Sequence, residues 1–204
     1  MKNDYQIVIL AGGLGKRLGK LTKKIPKPLI KVRGLPFLIH LLLKIQKEGI
    51  HNVILCVGYK SNKIISEVNK HKKKIKKINI KFIKEKKLLG TGGAIKNAEK
   101  HLNSFFSVVY SDSWLQINFK KIMQYYQKNK IKYLMTIYKN KNLYDKSNIE
   151  YKNKKITKYL KDSNDARIKY IDYGFMVFKK SLLKKIKKKN FDLSELIQII
   201  IKNK

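Results

Sequence analysis

The sequence is poor in cysteine, and this excludes two kinds of stabilising site. Cys56 is the only cysteine among 204 residues, so the chain can form neither an intramolecular disulfide nor a cysteine-rich zinc site. A chain of this length buries roughly 70% of the surface that its unfolded form exposes, and it needs neither device to hold a core. A lone cysteine favours a reducing compartment, and we therefore predict a cytoplasmic protein.

Long apolar runs are missing as well. The longest, residues 37–43, contains His40 and falls well short of the ~18–20 residues that a membrane-spanning helix needs. The first five residues lead directly into a strand-like run, which predicts that there is no signal peptide. We expect no membrane span and, at ~150 residues per domain, a single domain over residues 1–204.

Acidic residues are scarce, and the resulting charge needs an interpretation. The chain has 49 Lys and Arg against 13 Asp and Glu, a formal net charge of +36. Arginine, which reads bases and grips phosphates bidentately, supplies only Arg17, Arg33 and Arg167. The lysine runs are not interleaved with aromatic residues that could stack on bases. We interpret most lysines as solvated surface and expect no specific nucleic-acid partner, although the charge suits polyanionic substrates.

Strand-like and helix-like segments alternate in the first half of the chain. Apolar runs predict strands at 7–10, 53–58, 78–83 and 105–110, and helical patterns follow from Pro36 to Gly49, near 61–69 and at 94–98. This alternation implies right-handed crossovers. It predicts an α/β fold with a doubly wound, mostly parallel Rossmann-like sheet that helices cover on both faces.

The alternation of strands and helices stops after about residue 130. Residues 133–138, 148–151, 156–160 and 170–178 are strand-like with no helix between them, which predicts an antiparallel extension of the sheet that holds a second substrate. Two helices are expected to finish the chain. Asp192 and Glu195 have the spacing of a capping box at the start of the last one.

The segment over residues 10–29 carries the sharpest chemical signal and reads LAGGLGKRLGKLTKKIPKPL. Gly12, Gly13 and Gly15 follow a strand, so their backbone amides can approach a phosphate without a Cβ in the way. The dinucleotide and P-loop patterns both fail, because Leu18 replaces the third glycine and no Gly-Lys-Ser/Thr closes the loop. Prolines on both sides of Lys27 fix the backbone that aims its ammonium group.

Two further segments point to the same end of the predicted sheet. The loop from Gly90 to Gly93 precedes a helix, whose first amides favour polar or anionic ligand edges. Asp112 follows a buried strand, at the sheet edge where such folds bind ligands, and a carboxylate there suits Mg²⁺. The alternatives are a helix entry that needs flexible backbone and an aspartate that caps a turn.

The first segment resembles the signature of the sugar-phosphate nucleotidyltransferases, a GGxGxRL loop followed by a P-K-P lysine. Residues 58–60, 89–94 and Asp112 resemble the D-glycero-D-manno-heptose 1-phosphate guanylyltransferase branch, and residues 145–148 and 170–174 resemble related sugar-phosphate nucleotidyltransferases. The resemblance implies a GT-A-like fold and an enzyme that joins a sugar 1-phosphate to a nucleoside triphosphate, GTP above the others. The products would be pyrophosphate and an NDP-sugar for surface polysaccharide or glycoconjugate synthesis.

The resemblance also implies roles for individual residues. It makes Arg17 and Lys27 catalytic, and Asp112 the ligand of a Mg²⁺ cofactor. Lys146 and Lys161 are candidates for binding the phosphate of the sugar substrate, and Asp172 for contacting its hydroxyl groups. The predicted nucleotide-binding residues are Leu10, Ala11, Gly12, Gly13, Gly15, Lys16, Gly90, Thr91 and Gly92.

One family feature does not occur in this sequence. Family members usually supply a second Mg²⁺ carboxylate from a C-terminal D-x-G-T-P segment, which these 204 residues do not contain. Two alternatives therefore stay open beside the enzyme: a degenerate member that binds a nucleotide without turnover, and a basic nucleic-acid-binding protein. No histidine has metal-ligand spacing or an acidic partner in the sequence, and the sequence gives no oligomeric state.

Overall fold

A computed structural model describes residues 5–15, 19, 22, 24–140, 143, 145–160 and 164–203. The strands are β1 (Gln6–Ala11), β2 (Lys31–Val32), β3 (Leu35–Pro36), β4 (Asn52–Val57), β5 (Asn79–Lys84), β6 (Phe105–Tyr110), β7 (Tyr133–Lys139), β8 (Ile149–Lys152), β9 (Lys155–Tyr159) and β10 (Tyr170–Lys179). The α-helices are α1 (Phe37–Lys47), α2 (Ser61–Lys70), α3 (Gly90–Asn97), α4 (Phe119–Lys128) and α5 (Leu193–Lys202). Short 3₁₀ helices cover Lys27–Leu29, Glu99–His101 and Lys180–Lys185.

The central sheet begins as a parallel sheet. Its strand order is β5-β4-β1-β6-β10-β8-β9, with β7 also paired to β10, and β2 and β3 form a separate hairpin. Neighbouring pairs among β5, β4, β1 and β6 are all parallel. The alternating segments of the first half therefore form the predicted doubly wound sheet.

Helices cover both faces of this sheet. Along β1, Ile7 and Ile9 point into one apolar cluster, which also contains buried side chains of α1, α2 and α4. Val8 and Leu10 point into a second cluster with buried side chains of α3 and α5. Since every residue of β1 is buried, this strand needs the continuous apolar run that predicted it.

The second half of the chain extends the sheet in the antiparallel sense, as predicted. Residues 175–179 of β10 pair with β6, while β7 pairs with the opposite edge of β10. The β8–β9 hairpin joins β10 at Tyr170 and Ile149, on the same edge as β6. The pairing of β10 with β7 shifts register between Asp172 and Met176. Gly174, within this stretch, has a φ of +96°, a conformation that glycine adopts at little cost.

Three local predictions differ from the structure. The segment 90–93 is not a loop before a helix but the first turn of α3. Helix α4 was not predicted, although Phe119, Met123 and Tyr126 are its buried residues at helical spacing. The segment before α5 contains the short 3₁₀ helix Lys180–Lys185 in place of a full helix. None of the helices that the structure describes has the length and apolar character to cross a bilayer.

We expect Phe119→Ala to lower the free energy of unfolding by about 3–5 kcal/mol, because it opens a cavity in the core. The Phe119 ring is fully buried and stacks on Phe175 at 4.6 Å between centroids. Tyr125 lies on the same helix, is 58% exposed, and Tyr125→Ala should change stability by less than about 0.5 kcal/mol. Urea denaturation of both variants measures the difference, and equal losses would show that this face of α4 does not carry the core.

Candidate active site

The carboxyl ends of the parallel strands meet around one cavity. The parallel register places Leu10 beside Tyr110 and Ala11 beside Val57, so β1, β4 and β6 end at the same level. The cavity has a volume of about 500 Å³, a size typical of small-molecule sites. It is lined by Leu10, Ala11, Gly12, Gly13, Leu14, Gly15, Lys27, Pro28, Glu85, Leu88, Gly90, Thr91, Ala94, Tyr110, Ser111, Asp112 and Asp192.

The glycine loop after β1 forms one wall of this cavity. Gly12 lies so close to its neighbours that a Cβ there would be 2.6 Å from Glu85 Oε1 and 3.3 Å from the backbone nitrogen of Gly58. Gly15 has a φ of +64°, and the Thr22 hydroxyl donates a hydrogen bond toward its carbonyl oxygen (3.2 Å). Gly13 has open space around its Cβ position. Lys16 and Arg17 lie outside the described residues, so their predicted roles stay predictions.

Lys27 and Asp112 form an ion pair across the mouth of the cavity. Lys27 Nζ lies 2.5 Å from Asp112 Oδ2, and each side chain is about one third exposed. The two residues come from separate elements: Lys27 begins a 3₁₀ helix behind Pro26, and Asp112 follows β6. The sequence singled out both residues for phosphate and metal chemistry, and the fold brings them into contact.

The cavity also contains two carboxylates that the sequence analysis missed. Glu85 follows the edge strand β5, and its Oε2 accepts a hydrogen bond from the Leu89 backbone N–H (3.1 Å). Burial raises the pKa of Glu85, and that hydrogen bond partly opposes the shift. Asp192 begins α5 and reaches the cavity from the far end of the chain. In the sequence, the capping-box spacing of Asp192 indicates only a structural role. No local sequence pattern marks Glu85 as a functional residue.

The phenol of Tyr110 lies near three carboxylates. Burial raises the pKa of Tyr110, and the negative charges of Asp172, Asp192 and Asp112 raise it further. The tyrosine therefore stays neutral across the physiological range. Tyr110 ends β6 and lines the cavity, and the sequence did not mark it as a functional residue.

The predicted nucleotide-binding residues of α3 divide into two groups. Gly90 and Thr91 line the cavity, but Gly92 does not. Gly92 is buried, and a Cβ there would overlap the ring of Phe191. Its backbone N–H donates to the Phe191 carbonyl oxygen (3.0 Å). Gly92 thus contacts Phe191, whereas contact with a nucleotide was expected.

Two of the candidate sugar-phosphate residues, Asp172 and Lys146, are not among the described residues that line the cavity. Asp172 Oδ1 accepts a hydrogen bond from the Gly174 N–H (2.8 Å), and its Oδ2 accepts one from the Tyr159 hydroxyl (3.4 Å). These contacts hold the irregular part of β10. Lys146 is exposed in the loop before β8, and Lys161 falls outside the described residues. Sugar binding by these three residues stays a prediction.

Comparison with known proteins identifies the family and the fold. A family model for nucleotidyl transferases matches residues 6–203. The chain belongs to this family. The resemblance predicted from the glycine loop and the P-K-P lysine is confirmed, and so is the α/β fold class.

Relatives of this nucleotidyl transferase include several guanylyltransferases. A D-glycero-alpha-D-manno-heptose 1-phosphate guanylyltransferase from Campylobacter jejuni is 40% identical over 117 residues, 57% of this chain and 52% of that protein. A mannose-1-phosphate guanyltransferase 2 from Candida glabrata is 34% identical over 59% of this chain and 34% of that protein. The matched segments thus span between one third and about half of these relatives.

Solved structures match more of the chain. HddC from Yersinia pseudotuberculosis, complexed with GMP-PN, has a TM-score of 0.79 and 28% identity over 93% of this chain and 83% of that chain. A putative glucose-1-phosphate thymidylyltransferase from Bacillus anthracis has a TM-score of 0.85 at 17% identity, over 98% of this chain and 83% of that chain. The second likeness concerns the fold alone.

The carboxylates of the nucleotidyl transferase cavity fit the Mg²⁺ ion that the family implies. Asp112 presents a hard oxygen ligand to the cavity and already has a cation, the Lys27 ammonium, as its partner. Within the described ranges, no three His, Cys, Asp or Glu side chains gather into a metal-binding group. A Mg²⁺ ion at Asp112 would take its remaining ligands from water and substrate phosphates, which is a common arrangement for this ion.

We expect Asp172→Asn to change the pH dependence of stability. Burial raises the pKa of Asp172 to about 6, above the ~3.9 of an unfolded aspartate. Ionisation of the native state therefore costs free energy, and the wild type loses stability relative to the variant as the pH rises from about 4 through 6. The difference should reach about 3 kcal/mol above pH 7, since each unit of pKa shift corresponds to about 1.4 kcal/mol.

Urea denaturation of both proteins between pH 4 and 8 measures this difference. Asparagine keeps an oxygen that can accept the Gly174 hydrogen bond, so the bulge of β10 should survive the change. Parallel pH profiles for the two proteins would show that the carboxyl group is not under strain in the native state.

Proposed function

We propose that this chain transfers a nucleotidyl group from a nucleoside triphosphate to a sugar 1-phosphate. The main support is the single cavity that holds the glycine loop, Lys27 and Asp112. Nucleic-acid binding has no use for these three features together, although the net charge of +36 would permit it. The guanylyltransferases among the relatives support the same reaction class.

The reaction needs little covalent chemistry from the protein. A phosphate oxygen of the sugar 1-phosphate attacks the α-phosphorus of the triphosphate, and the bond from that phosphorus to the bridging oxygen of the β-phosphate breaks. The products are the NDP-sugar and pyrophosphate, which carries away the bonding electrons. The attacking phosphate is already ionised at neutral pH, so no general base is required, and catalysis consists of in-line positioning and charge neutralisation.

The residues of the cavity divide this work among them. The amides of Gly12, Gly13 and Gly15 approach the triphosphate, and Lys27 neutralises charge as the α-phosphorus is attacked. Arg17, the second residue after Gly15 in the sequence, stabilises the departing pyrophosphate. A Mg²⁺ ion held at Asp112 would neutralise phosphate charge. Lys27 turns from Asp112 toward the phosphates when the nucleotide enters.

Glu85 supports GTP as the preferred nucleotide. Guanine presents two neighbouring donors, N1–H and the 2-amino group, to a partner at its Watson–Crick edge, and a carboxylate offers two acceptor oxygens. The Glu85 carboxylate lies at the cavity wall beside Gly12, where the Leu89 amide and the loop hold it in place. The other bases present no such pair of donors.

Pyrophosphate release measured across four triphosphates and several sugar 1-phosphates tests the proposal. We expect turnover with GTP to exceed turnover with the other three, and Glu85→Gln to lower kcat/KM for GTP by about 10- to 100-fold, because a charged hydrogen bond contributes about 1.5–3 kcal/mol. Glutamine keeps the size of the side chain and an acceptor for the Leu89 amide, which makes it a matched change.

Two results would contradict parts of this proposal. A wild-type protein that binds GTP but releases no pyrophosphate with any sugar 1-phosphate would be a nucleotide-binding protein without turnover. Equal losses for GTP and ATP in Glu85→Gln would show that Glu85 supports the cavity and does not read the base.

The ion pair between Lys27 and Asp112 leads to a prediction about metal binding. The Lys27 ammonium competes with a metal for Asp112, so Mg²⁺ should bind weakly to the nucleotide-free protein and much more tightly with GTP present. Lys27→Ala should tighten Mg²⁺ binding without nucleotide and lower kcat/KM by about 10²-fold, roughly 2.7 kcal/mol. Calorimetry with and without GTP, beside the pyrophosphate assay, measures both effects.

Asp112→Asn and Lys121→Ala complete this experiment. Asp112→Asn should lose most turnover and the nucleotide-dependent gain in Mg²⁺ affinity. Lys121 is exposed on α4, away from the residues that line the cavity, and its removal should change neither quantity. Full activity of Asp112→Asn would exclude the metal assignment, and unchanged Mg²⁺ affinity in Lys27→Ala would exclude the competition.

A further inference from the structure

The start of helix α5 is joined to the first turn of helix α3, about 100 residues earlier in the chain. The backbone N–H groups of Gly92 and Gly93 both donate to the Phe191 carbonyl oxygen at 3.0 Å. The Phe191 N–H donates to the Leu89 carbonyl oxygen, also at 3.0 Å. First-turn amides of a helix have no partner within the helix, and here the chain before α5 supplies one.

The glycines of this turn allow that approach. A Cβ on Gly90 would lie 2.5 Å from the Phe191 carbonyl oxygen, and one on Gly93 would overlap the Lys189 carbonyl oxygen. Gly90 also has a φ of +74°, which favours glycine. The glycine-rich composition of this turn therefore serves the contact with α5.

The side chain of Thr91 completes the junction. Thr91 Oγ1 accepts a hydrogen bond from the Leu193 N–H (2.8 Å), the first amide of α5. The Thr91 hydroxyl donates to Asp192 Oδ1 (3.3 Å). A hydroxyl has a single hydrogen, so this hydrogen is directed at Asp192, where the resemblance led us to expect a nucleotide.

We propose that Thr91 and Asp192 are positioning residues, which fix the first turn of α3 against the start of α5 so that Gly90 and Thr91 present a set surface to the nucleotide. Both residues line the cavity, so a shift at this junction moves part of its wall. The inference rests on the proposed function of the cavity as a nucleotide site. It makes α5 a part of that site.

Substitutions that keep or remove the hydrogen bonds test this role. Thr91→Val keeps the shape and removes the hydroxyl, and it should raise the Kd for GTP about 10-fold, which is about 1.4 kcal/mol and within the range of a lost hydrogen bond. Thr91→Ser restores the hydroxyl and should bind GTP within about twofold of wild type. Calorimetric titration of GTP into the full chain gives each Kd.

A second pair of variants carries the test if Thr91→Val does not fold. Asp192→Asn keeps an acceptor for the Thr91 hydroxyl and a good helix cap, so its Kd should stay near that of the wild type. Asp192→Ala should weaken GTP binding about as much as Thr91→Val, and the double variant Thr91→Val/Asp192→Ala should be little worse than either, since the two residues act through one contact.

Asn118→Ala is the matched control for loss of a helix cap. Asn118 Oδ1 accepts a hydrogen bond from the Lys121 N–H at the start of α4 (2.8 Å), away from the cavity. Its removal should lower the midpoint of urea denaturation and leave the Kd for GTP unchanged.

The outcomes separate this inference from the proposed function. A wild type that binds GTP while Thr91→Val binds it equally well overturns the inference alone, as does a Thr91→Ser that is as weak as Thr91→Val. An Asp192→Asn as weak as Asp192→Ala shows that the charge acts directly on the ligand and overturns the positioning role. A wild type that binds none of the four triphosphates overturns the proposed function and this inference with it.

Discussion

The parallel pairing of β1 between β4 and β6 is the constraint on which the site depends. It ends three strands at one level, and cross-strand hydrogen bonds continue just beyond the strand ends. The Tyr59 N–H donates to the Gly12 carbonyl oxygen (3.2 Å), and the Ser111 N–H donates to the Leu10 carbonyl oxygen (3.2 Å). The glycine loop and Asp112 are thereby held as neighbours, although 100 residues separate them. A Cβ on Gly58 would lie 3.0 Å from the Gly12 carbonyl oxygen, so small residues are needed where the backbones meet.

The described charged residues that line the cavity are mainly acidic, although the whole chain is strongly basic. The protein carries a net charge of +36, yet Glu85, Asp112 and Asp192 line the cavity, and Lys27 is the basic residue among its described lining residues. A polyanionic nucleotide gains little from such a wall unless a cation accompanies it or other basic side chains join Lys27. This balance fits a Mg²⁺-nucleotide complex and gives Lys16 and Arg17, which follow Gly15 in the sequence, a reason to be basic.

The junction of α3 and α5 shows how the two halves of the chain share one site. The α/β half supplies the glycine loop, Lys27, Glu85 and Asp112. The C-terminal segment supplies Phe191, whose carbonyl oxygen caps α3, and Asp192, which begins α5. Glu195 accepts a hydrogen bond from the Asp192 N–H (2.9 Å), so the cap of α5 and the wall of the cavity are built from the same few residues. The stability of α5 and the shape of the cavity wall are therefore linked at this point.

The sequence by itself determined the parallel strands β1, β4, β5 and β6 and the helices α1 and α2, because an apolar run or an apolar face is a local property of the chain. It also determined the family, because the glycine loop, Lys27 and Asp112 stand in a recognisable order. Tertiary structure alone decided what the side chains touch. The sequence does not show that Phe191 covers Gly92 or that the Thr91 hydroxyl is directed at Asp192. Glu85 has no sequence signal, and only the fold places it beside Gly12. Such contacts join residues far apart in the chain, and a pattern along the sequence contains no information on which distant backbone will fill the space beside a glycine.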